Sequence, residues 1–229
     1  MKSFLFLIIS TLQIHAVNGF SPGLTRRRIS SQLHSVPFVR SFLGKGPEAI
    51  VRNGVVLISP AEEFHHFYRQ AAIYIYTMGE AEDGSDYLIR GLILDHPTAF
   101  SVGESMPNAP PALCEDRIFR GGDRGGEGII LLHDHADWNV EEIGNSGIYQ
   151  GGWDAARTAE KVKENSCKVF FNYCEFTEVE LEGLLGMKRE DGDAWMSLEV
   201  DPKFVLEGSY DRGDAWKRLR NAVMQLSED

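Results

Sequence analysis

Residues 72–94 read AIYIYTMGEAEDGSDYLIRGLIL, two runs rich in β-branched and aromatic residues around an acidic, turn-forming stretch. AIYIYT (72–77) alternates along its length and YLIRGLIL (87–94) stops short of Pro97, so the pair predicts an antiparallel hairpin with a long loop at 79–86. Upstream, Asn53-Gly54 opens a further β-type run, VVLIS, closed by Pro60. Downstream, an irregular segment at 98–116 contains Pro107, Pro110 and Pro111. RIFR (117–120) and GIILLH (128–133) then read as strands around the glycine cluster GGDRGGEG, and KVFFNYC (168–174), AWMSLEV (194–200) and KFVL (203–206) form a third β group.

Three helices are expected. DAARTAEKVKEN (154–165) has Asp154 in the N-cap position and Ala155, Ala159 and Val162 on one stripe. TEVELEGLL (177–185) places Thr177 and Glu180 in capping-box register before Gly186. A last helix from Asp214 sets Trp216, Leu219, Val223 and Leu226 on one face. Strands first and helices clustered later predict a single α+β domain, a mixed or antiparallel sheet flanked by about three helices, with no βαβ alternation.

Charge is distributed unevenly along the 229 residues. Residues 1–47 hold six Lys and Arg and no Asp or Glu, which leaves 17 cations against 34 carboxylates in the remainder, a net of −17. Such a body repels nucleic-acid backbones, whose affinity comes from Lys and Arg displacing counterions, and it repels anionic membrane surfaces. No direct nucleic-acid partner and no membrane association of the mature domain are expected. The cysteines Cys114, Cys167 and Cys174 are odd in number and lack C-x-x-C spacing, so neither a disulfide framework nor a zinc knuckle is expected.

The acid-free leader has two parts. Lys2 and the apolar run from Phe4 to Ile9 read as a signal peptide over 1–19, with Val17 and Gly19 small enough for the peptidase to cut before Phe20. Residues 20–46 are rich in Ser and Arg, the composition of a transit peptide. A signal peptide, a Phe at the new N-terminus (Phe20-Ser21-Pro22) and a basic segment resemble the bipartite presequences of complex, red-lineage plastids. The expected address is therefore a plastid, with secretion as the alternative, and 47–229 is the expected domain.

Five segments in order, GVVLISP (54–60), GLILDHP (91–97), IFRGGDRGGEGIILLH (118–133), GIYQGGWD (147–154) and the helix start DAWKRL (214–219), resemble the motifs of the AlgH/YqgE family. The resemblance spans residues 50–223 and implies a compact α+β domain. It departs from the family at NYCEFTEVEL (172–181), where a G-Y-A-G-W segment and a Gln-Leu are usual. Members are often labelled regulators of transcription, a role that the acidity of this chain disfavours.

For chemistry, His133-Asp134-His135-Ala136-Asp137 follows an apolar strand, and His133, His135 and Asp137 could begin a metal site of hydrolytic type. The remaining ligands would have to come from His65, His66 or His96, and of His133, His135 and Asp137 only His133 falls on a position the family motif carries. The plainer reading is that His133 ends a strand and its neighbours face solvent. Gly121-Gly122 and Gly151-Gly152 could cradle an anion with their backbone N–H groups, the second pair at a helix N-terminus. No G-x-S-x-G elbow or Cys–His pairing stands out. The sequence thus points to a binding or regulatory domain without catalysis or cofactor, whose partner is another protein or a small ligand held near Gly121, Gly122, His133, Gly151 and Gly152, with a hydrolase using His133 as the alternative.

Overall fold

A computed structural model describes residues 38–187 and 189–228. The signal-peptide segment 1–19 and the leader up to residue 37 lie outside the described residues. The strands are β1 (Val39–Lys45), β2 (Val56–Ile58), β3 (Ala72–Glu80), β4 (Tyr87–Ile93), β5 (Pro97–Ser101), β6 (Arg117–Arg120), β7 (Arg124–His133), β8 (Tyr149–Gln150), β9 (Cys167–Thr177) and β10 (Met196–Val200). The helices are α1 (Val102–Ser105), α2 (Trp153–Thr158), α3 (Glu178–Gly186), α4 (Pro202–Val205) and α5 (Asp214–Glu228), with single 3-10 turns at Gly46–Glu48, Pro111–Leu113 and Ala136–Trp138.

The strands form one mixed sheet in the order β1-β10-β2-β3-β4-β9-β6-β5, with β7 on β9 and β8 on β7. The hairpin expected at 72–94 is β3 and β4, paired antiparallel from Ile73 with Ile93 to Glu80 with Tyr87. Both faces are covered, which is why both parities of β3 are apolar. Tyr74 and Tyr76 face one cluster with Leu92, Phe170, Leu198 and Leu219, while Ile73 and Ile75 face another with Ile93, Leu181, Leu185 and Trp195. A third cluster joins Ile118, Leu131 and Val169 to Val102, Leu113 and Ala156. Each fully buried Leu or Ile in these layers contributes about 2 kcal/mol.

Strand β9 is the splice of the sheet. Its Val169–Phe171 stretch pairs parallel with β6 and antiparallel with β7, whereas Cys174–Thr177 pairs antiparallel with β4. The switch falls at Asn172, which takes a left-handed φ of 59°. Here Gly121 bridges both sides, donating its N–H to the Phe171 carbonyl (2.9 Å) and accepting the Ile93 amide (2.9 Å). Side chains are excluded at this crossing, since a Cβ on Gly121 would overlap the Asn172 carbonyl and one on Gly122 the Tyr173 carbonyl.

Several sequence expectations change in detail. KFVL does not form a strand: Asp201 accepts the Lys203 amide at 2.9 Å, Pro202 takes the first helical position, and 202–205 becomes α4. The helix expected at 154–165 stops at Thr158 and is capped by Gly152 (φ 71°), not Asp154. Asp154 instead sits in its first turn, exposed, 2.8 Å from Arg157. Only Ala156 of α2 is buried, too little apolar anchorage to carry a short helix through the charged residues that follow. At 177–186 the capping box forms as expected, Thr177 accepting the Glu180 amide and Glu180 the Thr177 amide.

At the other edge of the sheet, β1 pairs with β10 from Val39 with Val200 to Lys45 with Met196. Phe38 stacks on Phe204 at 4.8 Å and its carbonyl accepts the Asp201 amide at 2.8 Å. Residues 39–45 of the acid-free leader are thus an edge strand.

Candidate functional site

His133 ends β7 between Tyr149 of β8 and Cys167 of β9. Its side chain is fully buried, with the ring 4.5 Å from that of Trp138 and stacked at 5.7 Å on Tyr149. Nδ1 accepts the His135 amide at 3.1 Å, which assigns the proton of the neutral ring to Nε2. Nε2 is enclosed without a hydrogen-bond partner, and a Cβ on Gly152 would stand 3.1 Å from it and 2.9 Å from Trp138. Burial, reinforced by the neighbouring His135, pushes the His133 imidazole down to about 4.

The rest of HDHAD diverges from this ring. His135 stacks flat on Trp138 (4.4 Å, 9°) and its Nε2 meets Ser166 Oγ at 3.0 Å. Asp137 is exposed. A metal shared by the two histidines needs one free ring nitrogen from each facing a common point, whereas one nitrogen of His133 is committed to a backbone amide and the other is sealed against Gly152. Among the described residues no group of three or more His, Cys, Asp or Glu is arranged to hold a metal ion.

Of the two glycine pairs, only one lies beside His133. Gly151 and Gly152 take left-handed φ values of 99° and 71°, and the Gly151 amide donates to the Leu131 carbonyl at 2.9 Å. Gly121 and Gly122 abut Asn172 and Tyr173. Tyr173 lies six residues along β9 from Cys167, the partner of His133, or about 20 Å. The structure therefore brings Gly151, Gly152 and His133 together and sets Gly121-Gly122 apart, where close backbone crossing already accounts for them.

The concavities that open to solvent lie elsewhere. One of about 320 Å³ sits at the Cys167 end of β9, where Asp116, Arg117, Lys163, Asn165 and Lys168 contribute to its walls. A second, of about 280 Å³, shares Lys163, Glu164 and Asn165 with it and adds Asp134, Lys203 and Glu207. Lys168 is a buried cation that sequence reasoning passed over. Its Nζ donates to the carbonyls of Glu207 (2.6 Å) and Val205 (3.4 Å) and lies 4.1 Å from the Phe119 ring and 4.8 Å from that of Tyr210. Burial lowers it to about 7, opposed by the carboxylates of Asp95 and Glu207. The signal was parity: Lys168 is two residues from Phe170 on a strand, so it shares the inward face. A third cleft, of about 260 Å³, is bordered by His96, Arg120 and Arg212.

The fold is shared with known proteins. The AlgH-like family model matches residues 56–226. The chain belongs to the AlgH-like family. Among solved structures, the AlgH-like fold is matched by the crystal structure of a Corynebacterium diphtheriae protein, with 15% identity and a TM-score of 0.54 over 74% of this chain and 88% of that one. It is matched too by the solution structure of the AlgH protein from Pseudomonas aeruginosa, with 17% identity and a TM-score of 0.51 over 76% of this chain and 87% of that one. At such identities the likeness is one of fold. None of the curated proteins matches this AlgH-like chain.

Proposed function

We propose that this AlgH-like chain is a non-catalytic binding or regulatory domain whose partner is a small ligand or another protein. The observation that carries this reading is the enclosure of His133. His133, the member of the HDHAD stretch that falls on a family-motif position, is buried, neutral and packed against Trp138, Tyr149 and Gly152, so a substrate could not reach it without unpacking the end of β7. Two of the solvent-open clefts, those at the Cys167 end of β9, are instead lined by side chains of both charge signs, which suit recognition of a polar partner.

The test is metal content together with turnover. Purified protein should retain no stoichiometric zinc or manganese after dialysis, and His133→Ala combined with His135→Ala should leave any background ester hydrolysis unchanged. Stoichiometric metal that is lost in that double variant, together with hydrolytic activity, would establish the hydrolase instead.

We further propose that the domain works inside a plastid after removal of its leader. The acid-free, Ser- and Arg-rich composition up to residue 46 supports the address. The pairing of β1 with β10 and the Phe38–Phe204 stack support a final cut upstream of Phe38, in place of one at 46, because a cut at 46 would strip an edge strand from the sheet. N-terminal sequencing of protein from isolated plastids tests both points: a first residue between 20 and 38 agrees, and an intact Met1 or recovery only from the secreted fraction refutes the address.

A further inference from the structure

The cleft beside His96 is built from four stretches of chain that the fold has independent reasons to bring together. Backbone pairing of β5 with β6 sets His96 next to Arg120, whose amide donates to the His96 carbonyl at 2.8 Å. Asp95, one residue earlier, accepts the Ala215 amide at 2.9 Å and so fixes the start of α5, with Arg212 just ahead of it, against the same place. The loop carrying His66 and Phe67 closes the remaining side, where Arg212 donates to the His66 carbonyl at 3.4 Å. Pro97 and Thr98 complete the lining.

The charge of this cleft runs against that of the molecule. The body carries 34 carboxylates to 17 Lys and Arg, yet no carboxylate lines the cleft, and neither Arg120 nor Arg212 forms an ion pair among the described residues. The Arg120 guanidinium lies 4.6 Å over the Phe67 ring and spends only Nε, on the Gly122 carbonyl at 3.0 Å. Arg212 spends one N–H, on His66. Each guanidinium has five N–H donors, so most remain for a ligand. His96 is buried and held neutral, pushed down to about 4 by burial and by the charges of Arg212 and Arg120, with no acid offsetting them. The Thr98 hydroxyl is already committed to the Ile118 carbonyl at 2.9 Å.

We infer that the cleft formed by His66, Phe67, His96, Arg120 and Arg212 is a binding site for the phosphate group of a small phosphorylated metabolite. Two guanidinium groups match the dianion of a phosphate monoester, whereas a monocarboxylate would leave one cation uncompensated. A volume of about 260 Å³ exceeds what a bare phosphate fills and falls below the roughly 300–1,000 Å³ of larger ligand sites, so the remainder of the ligand is small. Phe67 and Pro97 offer that remainder an apolar wall. The inference deepens the binding-domain reading by naming a ligand class.

Calorimetric and amide-NMR titration of the mature protein with glycerol 1-phosphate, inorganic phosphate and acetate tests it. Glycerol 1-phosphate should bind saturably, more tightly than inorganic phosphate, with acetate silent, and should shift the amides of Thr98, Arg120 and Arg212. Arg212→Gln, at an exposed position, should weaken binding about tenfold or more while leaving the unfolding midpoint in place. Arg120→Lys should also weaken it by breaking the fork geometry. Absence of saturable phosphate binding, equal binding of acetate, or affinity unchanged in both variants would overturn the site. Release of inorganic phosphate from the ester would count against the non-catalytic reading alone, because it requires the anion to be recognised.

Discussion

Asp95 accepts the Ala215 amide at 2.9 Å, so a carboxylate just beyond β4 caps a helix from a position 120 residues earlier in the chain than the amide it meets. It accepts the Trp216 amide as well, at 3.3 Å. The same carboxylate is the strongest opposing charge acting on the buried Lys168. Burial raises Asp95 to about 6, countered by the two amides and by Lys168. One side chain thus anchors α5 and shares its charge with the core of the sheet.

Removing both members of this pair should cost less than the sum of removing each alone. Asp95→Ala leaves two helix amides without a partner and the buried Lys168 with only the Glu207 carboxylate opposing its burial, and is expected to lose about 3–5 kcal/mol. Lys168→Met strands Asp95 similarly. The double variant should be less destabilised than the sum of the singles by about 1–3 kcal/mol, as measured by urea unfolding. Strict additivity would mean that the two charges do not interact.

The glycines of GGDRGGEG should divide sharply. Gly122→Ala places a methyl group into the Tyr173 backbone and is expected to cost about 3 kcal/mol or more, or to prevent folding. Gly126→Ala meets no atom within 4 Å and bears only the strain of a φ of 58°, about 1 kcal/mol. Thermal melts of the two variants side by side check the contrast.

Truncation should locate the start of the domain. A chain beginning at Phe38 should match the full-length protein in unfolding midpoint. One beginning at Pro47 loses β1, leaves β10 as an open apolar edge and should melt lower and aggregate on heating.

Stability should fall as pH drops from 6.5 towards 4. His133 and His96 are each held near 4 by burial against an ordinary 6.5, so the unfolded chain takes up protons first. The stability from each neutral ring is complete above 6.5 and lost as pH falls through about 4, about 3 kcal/mol apiece. Asp95, raised from 3.8 to about 6, acts oppositely: its contribution is complete below 3.8 and lost as pH rises through 6. Urea unfolding of His133→Phe across this range should show a shallower acid loss than the parent.

What the sequence made legible was what local chemistry decides. The hairpin at 72–94 followed from its β-branched runs, α3 from Thr177 and Glu180, and α5 from its apolar stripe. KFVL misled because β-forming composition outweighed the Asp201-Pro202 signal for a helix start, which was present. The extent of α2 depended on how little of it finds a core. At His133, motif spacing suggested a ligand but could not show that Trp138, Tyr149 and Gly152 enclose it. Asp95 and the juxtaposition of Arg120 with Arg212 were illegible because each acquires its meaning from residues far away in the chain; strand parity signalled the burial of Lys168 but not its partners. The change of partners along β9, which sets the sheet order, likewise rests on tertiary pairing at Gly121 that no local pattern encodes.

The imidazole resonances of His133 test the central claim most directly. Followed by ¹⁵N-edited NMR from pH 5 to 8, with and without added zinc, they should stay those of a neutral ring protonated at Nε2 and should not shift with the metal. Titration near 6.5, or a zinc-induced shift shared with His135, would contradict a packed and non-catalytic role for this residue.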